Sequence, residues 1–311
     1  MDARQAALVD LGRALADAGY AFVTPTPETH RRVVSRSGGA PARDLRDVFG
    51  WSLPFEAALL PAALHALVER AGALRPASEG RWRSAIRFSS AEGALLAHSA
   101  YPTLDADAVF LGPDTYRFLG LLRREASWAE RAVDVGCGTG AGGIALARAG
   151  VAGHVVLADV SPAALRLAEV NAALAGVAAE VMESDVLAAV PGPIDLVVAN
   201  PPYLVDARRR TYRDGGGPLG IDLSVRIARE ALDRLDRGGR LVLYTATPIQ
   251  AGGRDPLREA LEPLLAGADE VTYEELDPDV FGEELEGAAY ERTERIAVVG
   301  VIARRRARAA G

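Results

Sequence analysis

Apolar positions in this chain keep two different periods, and the change from one to the other divides it. Over residues 2–19, Leu8, Leu11, Leu15 and Ala18 return every three or four positions. That spacing lines one face of a helix, and Gly19 stands where the helix should stop. Thr24-Pro25-Thr26-Pro27 breaks the pattern. Further helices are expected over 28–36, 42–49 and 54–71, with a turn at Ser37-Gly38-Gly39 and a stop at Gly72. The period then falls to two. Ser84–Ser89 alternates and Ala94–His98 follows beyond Glu92-Gly93, which predicts a hairpin. Tyr101-Pro102-Thr103 is the expected boundary, so that residues 1–104 form a helical unit with a hairpin and residues 105–311 a second domain.

Beyond residue 105, apolar runs alternate with helical patterns. Strands are expected at 131–136, 154–159, 179–183, 194–199, 239–246, 269–275 and 295–303. Helices are expected at 114–126, 140–149, 161–175, 220–236 and 254–266. This alternation predicts an α/β fold with a Rossmann-like, doubly wound, parallel sheet of seven strands. Ligands of such sheets lie outside the carboxyl ends of the strands. The chemistry is therefore expected just after residues 136, 159, 183 and 199.

Composition changes this picture only in part. With 311 residues, 49% hydrophobic and 25% charged, the chain has the balance of a globular protein of about two domains. Its net charge of -7 speaks against holding nucleic acid through bulk positive charge, while leaving room for a local basic patch. All 35 basic residues are arginine, a compositional bias that weakens each arginine as a sign of phosphate binding. Cys137 is the single cysteine, which fits a reducing compartment. The first 20 residues lack the basic start and apolar stretch of a signal peptide, and no run approaches the roughly 18 uncharged residues of a membrane span. A soluble, cytoplasmic setting is expected. His30, His65, His98 and His154 are scattered without metal-ligand spacing.

The first of the seven strands runs into Asp134-Val135-Gly136-Cys137-Gly138-Thr139-Gly140 and then a helix. Glycines let a backbone turn sharply and approach a ligand closely, and the helix start offers free N–H groups. Gly136, Gly138 and Ala141 satisfy the dinucleotide fingerprint, and Gly138, Gly140 and Gly143 satisfy it again in a shifted frame. Asp159, at the end of the next strand, can accept from both hydroxyls of a ribose; its alternative role is to cap the helix at Ser161-Pro162. These features suit an adenosine-containing cofactor without separating NAD from S-adenosylmethionine (SAM).

The fourth strand ends in Asn200-Pro201-Pro202-Tyr203. Two prolines fix two φ angles and donate no hydrogen bonds, leaving stiff backbone with free carbonyls. Such a turn suits a planar nitrogen, whose delocalised lone pair makes it a poor nucleophile. Asn200 Oδ1 and the Pro201 carbonyl can accept its two N–H groups and draw it toward a tetrahedral geometry, while Tyr203 stacks on the plane. Catalysis would then rest on orientation and electrostatics, with no metal needed.

The loop with Asp134 resembles the first motif of class I SAM-dependent methyltransferases. With N-P-P-Y after the fourth strand, the chain resembles the HemK-like protein-glutamine N-methyltransferases and the related small-domain enzymes that modify rRNA bases. The resemblance covers residues 105–303. It implies that Asp185, with the Val186 backbone, meets the adenine, and that Pro113 and Thr115 of Val109–Thr115 lie near SAM. Gly215–Asp222 is similar to a glycine-rich stretch that HemK-like enzymes carry after N-P-P-Y. The helical unit with its hairpin also matches that architecture, in which it recognises the protein substrate. Asp47–Pro54 departs from the release-factor pattern, which puts the substrate in question but leaves the chemistry intact.

The expected activity is thus SAM-dependent N-methylation, with a protein glutamine side chain, such as that of a translation factor, as first acceptor. The alternative acceptor is an exocyclic amine of an RNA or DNA base, adenine N6 or guanine N2, which would have to be unstacked. An NAD-dependent oxidoreductase would leave N-P-P-Y unexplained, and a binding module without catalysis is the remaining class. Arg208-Arg209-Arg210 with Arg213 could steer an anion or be a solvated face; Arg304–Arg308 reads as a frayed end, with nucleic-acid contact as its alternative. Asp277–Glu294 reads as a plain loop, with a lid or a substrate-side insertion as its alternative. Cys137 reads as a small turn residue, not a nucleophile.

Overall fold

A computed structural model describes residues 1–36, 38–103 and 105–306. Ser37 of the expected turn, Leu104 at the expected boundary and residues 307–311 of the arginine-rich tail lie outside the described residues.

The N-terminal half begins with α1 (Ala3–Asp17), where Asp2 accepts from the Gln5 amide at 2.9 Å and the Gln5 side chain accepts from the Asp2 amide at 2.7 Å. This reciprocal cap fixes the first turn. The periodic Leu8, Leu11 and Leu15 are all buried. Next come α2 (Pro27–Ser35), α3 (Leu45–Phe49) and α4 (Ala62–Arg70). Two expectations are corrected here. The helix expected over 42–49 starts only at Leu45, because Asp44 caps it while the Ala42 amide donates to the Pro54 carbonyl. The helix expected over 54–71 is a 3₁₀ turn at Ala57–Leu59 followed by α4, since Pro61 caps the later segment and interrupts the earlier one. A small ladder of β1 (Leu74–Pro76) and β2 (Trp82–Ser84) is additional. The expected hairpin forms as β3 (Ile86–Ala91) and β4 (Ala94–Ser99).

The second half holds α5 (Pro113–Glu125), β5 (Ala129–Val135), α6 (Ala141–Arg148), β6 (Ala152–Asp159), α7 (Pro162–Ala175) and β7 (Glu180–Glu183). These are followed by β8 (Leu196–Ala199), α8 (Asp222–Arg234), β9 (Arg240–Gln250), α9 (Pro256–Leu265), β10 (Ala268–Asp277) and β11 (Thr293–Arg305). All seven expected strands join one sheet in the order β10-β11-β9-β8-β5-β6-β7. The expectation of a wholly parallel sheet is corrected at one strand. β11 runs antiparallel to both β9 and β10. The segment between β10 and β11 contains only 3₁₀ turns, and without a crossover helix the chain can return only in the opposite direction.

Helix α7 ties the two halves together. Its Ala164, Leu167 and Val170 share a core with α1, α4 and the hairpin. Gly12 of α1 faces Leu174 so closely that a Cβ would lie 2.5 Å from it. Asn171 of α7 is fully buried; its Oδ1 accepts from the Ala97 amide at 2.7 Å, and its Nδ2 donates to the carbonyls of Ala97 and Thr139, both at 2.9 Å. One side chain thus pins the hairpin to the glycine loop. Among the described residues no helix is long and apolar enough to cross a membrane.

Candidate active site

The chain runs from β5 to β6 and β7 on one side and then crosses to β8 on the other, so the strand order reverses between β5 and β8. Ligands of doubly wound sheets bind at this kind of reversal. Val135 pairs with Ala199 as the last residues of the two strands. The glycine loop and the Asn200 turn therefore leave the sheet side by side. They open into a cleft of about 1000 Å³ that also takes in the starts of α5 and α2 and the chain after β7.

The glycine loop presents bare backbone. Gly136 and Gly138 have φ of +65° and +54°, and a Cβ on either would meet nothing within 4 Å. Asp159 supports the loop from β6: one carboxylate oxygen accepts from the Gly138 amide at 2.9 Å and the other from the Ser161 amide at 2.8 Å. Asp159 borders the cleft, while the cap of α7, its alternative role, falls to Ser161, whose hydroxyl accepts from the Ala164 amide at 3.3 Å. Burial raises the pKa of Asp159. Asp134 lies deeper, accepts from the Gly143 amide at 2.8 Å, and is pushed up to about 7 by burial. Gly140 is a correction. It does not border the cleft; its φ is +77° and a Cβ would sit 3.1 Å from Leu157 in the core, so its place is a tight turn into α6. Cys137 is buried and its thiol is held well above the ordinary value by burial, as a small turn residue should be.

Asp185 and Val186 border the cleft after β7. Val186 has a φ of +53°, a backbone state that a β-branched residue rarely takes. Asp185 is not held free for a ligand: Arg226 of α8 grips both its oxygens, at 2.8 and 2.9 Å. Pro113 and Thr115 line the opposite wall at the start of α5.

After β8 the turn is braced rather than open. A Cβ on Gly215 would lie 1.9 Å from the Gly220 carbonyl oxygen and 2.8 Å from that of Pro202. A Cβ on Gly220 would lie 2.6 Å from the Tyr203 carbonyl oxygen. The glycine-rich stretch 215–220 can therefore press directly onto the backbone of Pro202 and Tyr203. Among the described residues nothing hydrogen-bonds the Asn200 side chain. Asn200, Pro201, Pro202 and Tyr203 all border the cleft. The Tyr203 ring is mostly buried and meets Phe281 edge-on at 6.0 Å.

Two contributors had escaped the sequence reading, and a third had been read as a plain loop. Asp114 opens α5 facing the cleft, where its carboxylate accepts from Tyr244 at 3.0 Å and from Arg117 at 3.4 Å. Burial raises its pKa. The buried Tyr203 hydroxyl lies close to Asp114 without a hydrogen-bond partner, and burial first, then the Asp114 charge, holds its proton on. Asp114 sits inside the Pro113–Thr115 segment already singled out, so a signal existed; Tyr244, in the middle of a strand, carried none. The third is the segment before β11. The plain loop expected at Asp277–Glu294 is corrected: Phe281 borders the cleft, the Tyr290 hydroxyl accepts from the Val205 amide at 2.9 Å, and Glu284 pairs with Arg213. Of the arginine cluster, Arg210 is held by Asp206 at 2.6 Å and Arg213 by Glu284, which leaves Arg208 and Arg209 exposed.

The methyltransferase small domain family matches residues 117–264. The release factor glutamine methyltransferase of Moorella thermoacetica is 30% identical over 290 residues, covering 86% of this chain and 97% of that one. The enzyme of the same name from Deinococcus radiodurans is 38% identical over 153 residues, 45% of this chain and 55% of its relative. Ribosomal RNA small subunit methyltransferase C of Escherichia coli is 32% identical over 111 residues, 36% of this chain and 29% of that protein. The chain spans about half the length of the first curated relatives it matches, while it spans nearly all of the Moorella protein. The fold and the matches define a class I SAM-dependent methyltransferase. Within that class the chain belongs to the HemK-like family of release factor glutamine methyltransferases.

Proposed function

We propose that this chain methylates the side-chain amide nitrogen of a protein glutamine, with SAM as donor and a translation factor as the protein acceptor. The reading rests on one observation above all: the bare glycine backbone after β5 and the stiff Asn200-Pro201-Pro202-Tyr203 turn after β8 share one cleft because Val135 pairs with Ala199. The name of the Moorella relative supports the acceptor. Family membership leaves the nicotinamide alternative without support.

The residues present fit SAM. Gly136 and Gly138 keep side chains out of its path, and Gly140 with Asp134 holds the loop in shape. Asp159 takes the ribose hydroxyls, Asp185 and Val186 border the adenine, and Pro113 and Thr115 close the methionine side. Bound there, SAM supplies an electrophilic methyl group on a sulfonium. The chain's own residues act on the acceptor. Asn200 Oδ1 and the Pro201 carbonyl accept the two amide N–H groups and hold the nitrogen lone pair toward the donor. Pro202 locks the turn, and Tyr203 packs against the acceptor plane. Holding two reactants in one orientation supplies a large part of a barrier reduction without covalent help from the protein. Residues 1–104 serve as the unit that recognises the substrate, since Thr26, Pro27 and Tyr101 form part of the same cleft wall.

The second reading is methylation of an exocyclic amine on a nucleic-acid base. It is favoured by the rRNA methyltransferase among the relatives and by exposed Arg208 and Arg209 beside the turn. Incubation of the purified protein with methyl-labelled SAM and a cytoplasmic extract separates the two. Label that survives nuclease and disappears with protease is expected; the reverse pattern moves the acceptor to nucleic acid. Firm SAM binding without label in any fraction marks a module that has lost catalysis.

A further inference from the structure

A loop bridges the cleft, and it is tied to itself more firmly than to what it closes on. Residues 205–214 leave the Asn200 turn and return to their starting point. The Leu204 amide donates to the Arg213 carbonyl at 3.2 Å, and the Gly215 amide to the Leu204 carbonyl at 2.8 Å. A surface loop whose ends adjoin in this way is an Ω-loop, packed by its own side chains. Asp206 is its one buried side chain. It accepts from the Arg210 amide at 2.9 Å and from Nε and Nη2 of Arg210 at 2.9 and 2.6 Å. The amides of Arg213 and Asp214 donate to the Arg210 carbonyl at 3.0 and 2.9 Å. The base of the loop is anchored through Val205 to Tyr290 and through Arg213 to Glu284. Its forward contacts are fewer. The Tyr212 hydroxyl donates to the Thr103 carbonyl at 2.8 Å, the Thr211 hydroxyl to the Ala106 carbonyl at 3.3 Å, and the Tyr212 ring stacks on Phe110 at 6.2 Å. Thr103 and Phe110 border the cleft from one side and residues 209–214 from the other, so these contacts complete a bridge across it.

We propose that residues 205–214 swing as one body, that Tyr212 latches them to Thr103 and Phe110, and that exchange of the cofactor waits for this latch to open. Buried apolar contact is what makes a segment expensive to open, and this loop has little. Beyond Val205 at its base, none of its side chains joins the apolar cores. The partners of Asp206 lie within the loop and move with it. Opening breaks the Tyr212 and Thr211 bonds and the ring contact, and both hydroxyls and both carbonyls then pass to water, so each bond costs little net free energy. The Asn200 turn does not follow, because the chain fits too tightly around Gly215 and Gly220 for even a Cβ. The latch does move with the body: the Tyr212 hydroxyl accepts from Arg210 Nη1 at 3.1 Å, the guanidinium that also grips Asp206. Each turnover must replace the spent cofactor, and the opening of a lid commonly limits such a step. The inference rests on the cofactor cleft and is the same for an amide or a base as acceptor.

Surface plasmon resonance on the intact protein, with S-adenosylhomocysteine as the probe, reads the rates of entry and exit without any methyl transfer. Tyr212→Phe keeps the ring and removes the latch bond. Association and dissociation are each expected to speed up about fivefold, the order by which one lost hydrogen bond shifts the ratio of closed to open. Kd should move much less than either rate, since closure hinders entry and exit alike. A side chain that only lines a binding site changes dissociation and leaves association nearly constant, so faster association is what marks a latch. Thr211→Val removes the longer bond and should move both rates the same way by a smaller factor; it decides the matter if Tyr212→Phe does not fold. Hydrogen exchange of the free protein tests the single body: the Arg213 and Asp214 amides, bonded within the loop, should keep their protection in Tyr212→Phe. Faster dissociation alone, or two unchanged rates, overturns the latch. Lost protection at Arg213 and Asp214 means that the loop melts rather than swings, and overturns the moving body. A methyl acceptor other than glutamine would alter none of these readings.

Discussion

The turns after β5 and β8 leave the same sheet edge side by side, yet they are built in opposite ways. After β5 the glycines bring backbone to the cleft and leave space beyond it. After β8 the prolines stiffen the turn, and glycines from 215–220 fill the space behind it so tightly that no Cβ fits. Glycine therefore does two different jobs in this cleft. At Gly136 and Gly138 it leaves open space above the backbone; at Gly215 and Gly220 it makes room for another stretch of the protein. One turn is open to the cleft, and the other is packed from behind by the chain itself; on the proposed function the first takes the cofactor and the second positions the acceptor.

The sharpest way to break this comparison is Asn200→Ala. Transfer should fall about a thousandfold, the scale seen when one preorganised polar group is lost, while SAM affinity measured by calorimetry changes little. Parent-like turnover on the true acceptor would remove the turn from the mechanism. Gly220→Ala is expected next. Its Cβ would meet the Tyr203 carbonyl oxygen at 2.6 Å at a left-handed φ of +73°, so the braced turn must shift. Urea unfolding should show a loss of about 2–4 kcal/mol, with activity falling alongside, from overpacking and backbone strain together.

Gly138→Ala supplies the contrast. The methyl group meets nothing in the folded chain, so only the left-handed backbone is penalised, by about 1–2 kcal/mol. Titration calorimetry should show SAM affinity falling by more than stability does. If Gly138→Ala and Gly220→Ala gave the same ratio of lost affinity to lost stability, the two turns would not differ in the way described.

The smallest effect concerns pH. Asp134 keeps its proton in the fold up to about pH 7, whereas the unfolded chain releases it near the ordinary value of 3.8. The folded state then binds more protons than the unfolded one, and stability falls as pH rises across that window. The stabilising contribution is fully present below the unfolded value and is lost as pH approaches the folded one. Asp134→Asn has no proton to lose, so its unfolding free energy should vary less between about pH 4 and 7 than that of the parent. A parallel pH dependence in the two proteins would show that burial does not govern this carboxyl.

Much of this was legible in the residues. Seven strands and the helices between them followed from period and apolar runs, because a strand buried on both faces leaves a continuous apolar run that local sequence displays. The chemical residues of both turns were legible for a related reason: glycine and proline act on their own φ and need no distant partner. Helix 54–71 was misread because its apolar spacing continues across Pro61, and the spacing says nothing of the break. The reversed β11 depends on what the connecting segment fails to build. Gly140 looked like its neighbours in the loop and differs only in which side of the backbone faces Leu157.

By itself, then, the sequence determined the element order, the glycine loop, the proline turn and the class of chemistry they suit, since each depends on bonds and torsions local to a few residues. Only the tertiary structure decided that Asp185 is gripped by Arg226, that Asp114 and Tyr244 meet near Tyr203, that the segment after β10 borders the cleft, and that Arg87 is buried without a counter-ion. The first two join groups 41 and 130 positions apart, the last sets a charge against everything around it, and no periodicity along the chain encodes which distant side chains the packed sheet and helices bring within reach.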